Sequence, residues 1–172
     1  MQIKDNNRIN CFGCGALVEN IPGIPHKYLG TTQGCWNIYG QILAKEYCEY
    51  NYPETIHRLT VDTYSVQHPG QPSRQTIQSV NIHLIGLYYV LENNIIGKIV
   101  TKKIGEILSK KPMFEWLEPP IQNGTITVID VLLAKNIEEH EKIVTEWSKN
   151  VWNYWKIKYG FKIENIIKKY GI

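Results

Sequence analysis

The sequence predicts an all-α protein: a helical bundle of four to five main helices behind an N-terminal zinc knuckle. Three observations carry that expectation. Apolar residues recur at helical spacing from Cys35 onward. The breaks between periodic stretches are short and rich in Pro, Gly and Asn. A C-x-x-C pair, Cys11 and Cys14, sits ahead of the first periodic stretch. The length of 172 residues suits a single domain, 1–172, with 11–35 as the knuckle and 36–172 as the bundle. A chain of this size buries roughly two-thirds of its unfolded surface without staples. Hydrophobic residues make up 43% and charged residues 20%, which excludes a disordered tail, a collagen and a coiled-coil rod. The net charge of +3 is low for a dedicated nucleic-acid module, so nucleic acid is not the expected partner. No apolar run reaches membrane length, and the polar opening Met1-Gln-Ile-Lys lacks the core of a signal peptide. The expectation is a cytoplasmic protein without a membrane partner.

Each element follows in order. Residues 1–10 read as polar and loose, and 11–34 as a loop-rich knuckle. From Cys35, the residues Trp36, Tyr39, Leu43 and Tyr47 share a helical stripe, and Cys48 reads as a small buried residue on that helix. Pro53 punctuates, and Glu54 to Gln67 forms a second helix. His68-Pro69-Gly70 ends it. Ser73 caps a third helix running to about Glu92, apolar nearly all round and therefore central. Ile95 to Ser109 is a fourth, amphipathic helix. Thr127 with Asp130 caps a short helix, in preference to a β-branched strand over 125–133. Asn136 caps a long helix from Ile137 to about Lys158.

The cysteines carry the clearest chemistry. Cys11-Phe-Gly-Cys14-Gly15 is a knuckle whose turn folds two thiolates toward one ion. A structural zinc site needs four donors, usually thiolates and imidazoles. His26 and Cys35 complete the pattern C-x2-C-x11-H-x8-C. The expected ligands are therefore Cys11, Cys14, His26 and Cys35, the expected cofactor is Zn2+, and His57 or a water is the substitute. A thioredoxin-like redox pair would need a βαβ pattern around it, and none is visible.

His83 and His140 fall on the apolar stripes of the third and last helices. A buried imidazole must find a partner or a metal. Either these are satisfied core histidines, or they face one another in a shared pocket with His68 at its mouth. Arg74 lies near the His68 end and suits an anionic group. Asp62, four residues after Arg58, reads as half of a surface ion pair, or as the group that orients a catalytic histidine. His57 and His68 lie eleven residues apart, roughly 16 Å along a straight helix, and cannot share a metal.

The chain resembles a bacterial family described only as a domain of unknown function. The resemblance rests on Cys11-Phe-Gly-Cys14-Gly15, on Gly34-Cys35-Trp36, and on the long run from His57-Arg58-Leu59-Thr60-Val61-Asp62 through Gln67-His68-Pro69-Gly70 to Ser73-Arg74-Gln75 and Gln78-Ser79-Val80. It continues in Thr127-Val128-Ile129-Asp130-Val131 and in His140, Val144, Trp147, Val151 and Trp152. Thr76 stands where Ser is usual, which keeps the hydroxyl. The resemblance brings no activity, but it marks His57, Asp62, His68, Arg74, Gln78, His83 and His140 as motif positions. A looser, fold-level likeness is to DinB-like bundles, which hold a divalent metal through three histidines and act on small thiols or amides.

Two functions are open. One is a metal-dependent hydrolase or transferase acting on a small anionic substrate, with His68, Arg74, His83, His140 and Asp62 as its catalytic set. The other is a zinc-stabilised module whose aromatic-rich surface docks a protein or nucleic acid without catalysis.

Overall fold

A computed structural model of the chain describes residues 7–171. Among them are six helices and one two-stranded hairpin: β1 (Arg8–Asn10), β2 (Leu17–Glu19), α1 (Gln33–Cys48), α2 (Glu54–Gln67), α3 (Arg74–Leu91), α4 (Gly97–Ser109), α5 (Val128–Leu132) and α6 (Ile137–Tyr170). The stretch expected to be loose instead pairs antiparallel, with Ile9 opposite Val18, and the C-x-x-C turn closes that hairpin. Residues 1–6 of the expected loose stretch lie outside the described residues.

The helix starts follow capping chemistry. Ser73 accepts from Thr76 N–H, and Asn136 accepts from Glu139 N–H. Thr127 and Asp130 form a full capping box on α5. Thr32 caps α1, so that helix begins two residues before Cys35. α6 runs twelve residues past Lys158 because Ile163 is buried and Ile166, Ile167 and Tyr170 pack on the core. Gly160 alone does not stop it: apolar packing outweighs the helix cost of a glycine, about 1 kcal/mol.

The centre is a triangle of α2, α3 and α6, each packed on the other two. α3 and α6 were expected there from their apolar stripes. α2 is polar by composition, yet it buries Thr60, Asp62, Thr63, Ser65 and Gln67. Each has a partner, as buried polar groups require. Thr63 donates to Ser148 Oγ on α6 at 2.7 Å. Gln67 donates to the carbonyls of Asn123 and Ile126 at 3.0 and 2.9 Å and accepts from Trp147 Nε1 at 3.0 Å. These bonds pin the irregular segment 110–127 across the end of the bundle. α1 lies outside the triangle and packs mainly on α5 and β2. Cys48, at its end, is exposed rather than buried. No helix among the described residues is long and apolar enough to cross a membrane.

Candidate metal centre

Three cysteines and one histidine meet where the hairpin, α1 and α2 join. One donor atom each from Cys11, Cys14, Cys35 and His68 lies within 4.8 Å of all the others, and three of the four residues are buried. Cys11 and Cys14 come from the hairpin turn, closed by Cys11 N–H to the Ala16 carbonyl at 2.8 Å and Gly15 N–H to the Cys11 carbonyl at 3.0 Å. Cys35 sits in the first turn of α1, where Thr32 Oγ1 accepts its N–H at 3.4 Å. The positive end of the helix favours a thiolate there. His68 terminates α2 and is fully buried.

The fourth residue of the group that could hold an ion is His68, where the sequence pointed to His26. His26 packs instead edge-on to Tyr28, with ring centroids 4.3 Å apart, and against Trp36 at 5.3 Å. His68 was expected at the mouth of a pocket beside Arg74. It points the other way because a second chain crossing, the Leu29–Pro69 bridge, brings the end of α2 over the knuckle. His68 also accepts, through its backbone carbonyl, from Gly30 N–H at 2.9 Å.

The geometry suits a tetrahedral ion. Cys14 and Cys35 sulfurs are 3.9 Å apart, and His68 Nε2 is 3.4 Å from Cys35 Sγ. Two sulfurs at about 2.3 Å from one zinc stand about 3.8 Å from each other. His68 Nδ1 lies 2.8 Å from the Tyr64 carbonyl. A carbonyl only accepts, so Nδ1 carries a hydrogen and Nε2 is the ring atom that faces the thiols, where either a proton or a metal ion can sit. That is the outer contact a ligating histidine normally makes. The Tyr64 hydroxyl donates to Cys35 Sγ at 3.6 Å, and Thr31 Oγ1 lies 3.5 Å from Cys11 Sγ.

The electrostatics point the same way. Hydrogen bonds with Cys14 and Cys35 hold the Cys11 thiol far below its ordinary range, against the effect of burial. Hydrogen bonding to Cys11 and Cys35, with burial added, pushes Cys14 well above it. Burial disfavours a charged His68 ring, yet the hydrogen bonds to Cys11 and Cys35 outweigh it and push its pKa up to about 9. Crowded sulfurs cannot all ionise on their own. A divalent cation removes that limit.

The remaining expected site residues divide into two separate clusters. His140 donates through Nε2 to Glu46 Oε1 at 2.8 Å, and His57 through Nδ1 to Glu46 Oε2 at 2.6 Å. Thr60 adds a third donor to the same carboxylate at 2.5 Å. Glu46 is fully buried. Burial works against its charge, but the bonds from His140, His57 and Thr60 outweigh it and hold the carboxyl below its ordinary range. His83 belongs elsewhere: its Nδ1 meets Asp62 Oδ1 at 2.7 Å, and Arg58 Nε donates to Asp62 Oδ2 at 2.7 Å. The Arg58–Asp62 pair is real, but Asp62 is wholly buried rather than on the surface. The expected pocket shared by His83 and His140 is thus replaced by two carboxylate-centred clusters. Arg74 lies on the exposed start of α3 and joins neither. Glu46 is the residue that sequence reasoning missed. Its only signal is its place four residues after Ile42 and seven after Tyr39, on the side of α1 that turns inward.

No curated protein and no solved structure matches this chain. A family model does match, over residues 9–156. That span holds the cysteine knuckle, the long motif of α2 and α3, and His140, and the chain accordingly belongs to the family of unknown function DUF5946.

Proposed function

We propose that Cys11, Cys14, Cys35 and His68 hold a structural Zn2+ that fastens the N-terminal hairpin to the helical bundle within one domain. The observation that carries this is the convergence of four donors from three separate elements, with Nε2 of His68 turned to the thiols by the bond from Nδ1 to the Tyr64 carbonyl. Three thiolates and one imidazole fill a tetrahedral shell and leave no open position for water. That favours a structural ion over the metal-dependent hydrolase considered from the sequence. Zinc fits the donor set better than magnesium or calcium, which prefer oxygen. The test is to purify the full chain without added metal and measure its metal content. Stoichiometric zinc, lost on Cys14→Ser together with a large fall in melting temperature, supports the reading. A metal-free, fully folded protein overturns it. The enzyme reading has one specific observation of its own, the Asp62–His83 pair.

A further inference from the structure

We propose that Cys14 is the oxidation site of the metal centre: a peroxide attacks its sulfur, Cys35 closes a disulfide onto it, and the ion is released. The proposal rests on the reading of Cys11, Cys14, Cys35 and His68 as one zinc centre.

The four donors are not equally covered. Cys11 is 3% exposed, and Cys35 and His68 are wholly buried. Cys14 alone is half-buried. It lies between Gly13 and Gly15, which carry no side chain to cover it. A Cβ on Gly15 would meet nothing within 4 Å, so the turn is open to solvent on that side. Phe12, the other residue inside the turn, is 75% exposed and projects into solvent.

An ion bound by three cysteines holds all three as thiolates, so ionisation does not choose among them. Access does, because oxidation follows thiolate character and exposure. Hydrogen bonding chooses in the same direction. The Tyr64 hydroxyl donates to Cys35 Sγ at 3.6 Å, and Thr31 Oγ1 lies 3.5 Å from Cys11 Sγ. Among the described residues no hydroxyl reaches Cys14 Sγ, whose neighbours are the other sulfurs. A thiolate that accepts a hydrogen bond holds its electron pair more tightly and attacks more slowly. Cys14 is thus both the accessible sulfur and the least encumbered one.

Cys35 is placed to answer it. Its sulfur is 3.9 Å from that of Cys14. It sits in the first turn of α1, where the positive end of the helix favours the thiolate that must attack. Cys11 shares a turn with Cys14. A bond between those two would have to form inside a loop already closed by the backbone bonds of Cys11 with Ala16 and Gly15.

The step balances. The Cys14 thiolate gives an electron pair to one oxygen of hydrogen peroxide. The O–O bond breaks, hydroxide leaves, and Cys14 becomes a sulfenic acid. The Cys35 thiolate then attacks the Cys14 sulfur, the S–O bond breaks, and a second hydroxide leaves. Each sulfur has lost one electron and the peroxide has gained two. With two protons from solvent, both hydroxides become water. Cys11 and His68 are then the remaining donors, too few for a zinc shell. A link that joined the hairpin, α1 and α2 becomes one that joins the hairpin to α1, and the end of α2 is let go.

The test uses the zinc-loaded full chain carrying Cys48→Ala, which removes the exposed cysteine outside the centre. Hydrogen peroxide is added in molar excess. A colorimetric indicator reads zinc, and peptide mapping by mass spectrometry reads the sulfurs. The expected result is one zinc released per chain as Cys14 becomes linked to Cys35, with Cys11 left as a free thiol. Dithiothreitol and zinc together should reverse both changes. Cys14→His puts an imidazole donor in place of the sulfur, and it should retain zinc and slow its release about tenfold or more. Any of four results overturns the proposal: a disulfide that includes Cys11, oxidation of Cys11 or Cys35 with Cys14 intact, three unmodified thiols at a dose that oxidises free cysteine, or zinc release from Cys14→His at the wild-type rate. Should Cys14→His fail to hold zinc, the map of the parent chain decides. Metal content before treatment reports separately on the proposed function: a chain without zinc overturns that reading, and the map still decides which sulfur is oxidised.

Discussion

Gly13 lies directly beneath the ring of His68: a Cβ at position 13 would stand 2.5 Å from His68 Cδ2 and 2.9 Å from its Cα. The middle of the C-x-x-C turn is thus shaped around the histidine that closes the metal shell, some fifty residues later in the chain. The smallest residue is required there by close approach.

Gly13→Ala should therefore weaken metal binding without touching any donor. The expected outcome is zinc loss at chelator concentrations that leave the wild type loaded, read with a colorimetric zinc indicator. Equal zinc retention by the two proteins would show that the His68 ring can move aside.

The two histidine assignments separate cleanly. His68→Ala removes a donor and should release the ion, and zinc binding in small sites is worth about 10–16 kcal/mol, so unfolding should shift far down in denaturant. His26→Ala should keep stoichiometric zinc and lose only its packing against Tyr28 and Trp36. Elemental analysis of both variants, side by side, decides the fourth ligand.

How much of this was legible beforehand depends on chain distance. Cys11, Cys14 and Cys35 lie on short spacings that are readable as ligands, and Ser73, Thr127 and Asn136 are caps whose chemistry is local. His68 was displaced by His26 because spacing rewards nearness in sequence. Its real proximity comes from the Leu29–Pro69 bridge and the end of α2, which are tertiary facts. Glu46 was invisible for a similar reason: a glutamate on a half-polar helix looks solvated until His57 and His140 arrive from α2 and α6. The buried polar face of α2 was illegible too, since Thr63 and Gln67 find their partners only across the bundle.

Glu46 should control acid stability. Its folded pKa is depressed, so it contributes stability above the unfolded carboxyl value, about 4.3, and loses that contribution as pH falls through the folded value. Glu46→Gln leaves His57 and His140 without a charged acceptor and should cost about 3 kcal/mol at neutral pH. The gap between wild type and variant should shrink as pH drops below the ordinary carboxylate range. Urea unfolding at a series of pH values measures it, and a gap independent of pH would refute the assignment.

Gly86→Ala should destabilise the protein although alanine is the better helix former. The added methyl meets Asp62 and Arg58 at contact distances no real Cβ adopts. A net loss of about 1–3 kcal/mol is expected from overpacking. A stabilised variant would mean that α2 and α3 separate freely at this point.

The donors Cys11, Cys14, Cys35 and His68 all precede α3. A chain made from its N-terminus presents the full ligand set while α6, the long helix that completes the core, has yet to be synthesised. The ion can thus be captured by the nascent hairpin, α1 and α2, before the bundle exists to shield the thiols. Capture of the proposed ion would then set the order of events: about the first two-fifths of the chain is crosslinked first, and the later helices condense on a template whose loop-closure entropy has already been met. Zinc starvation during synthesis should accordingly harm yield more than zinc stripping harms the finished protein.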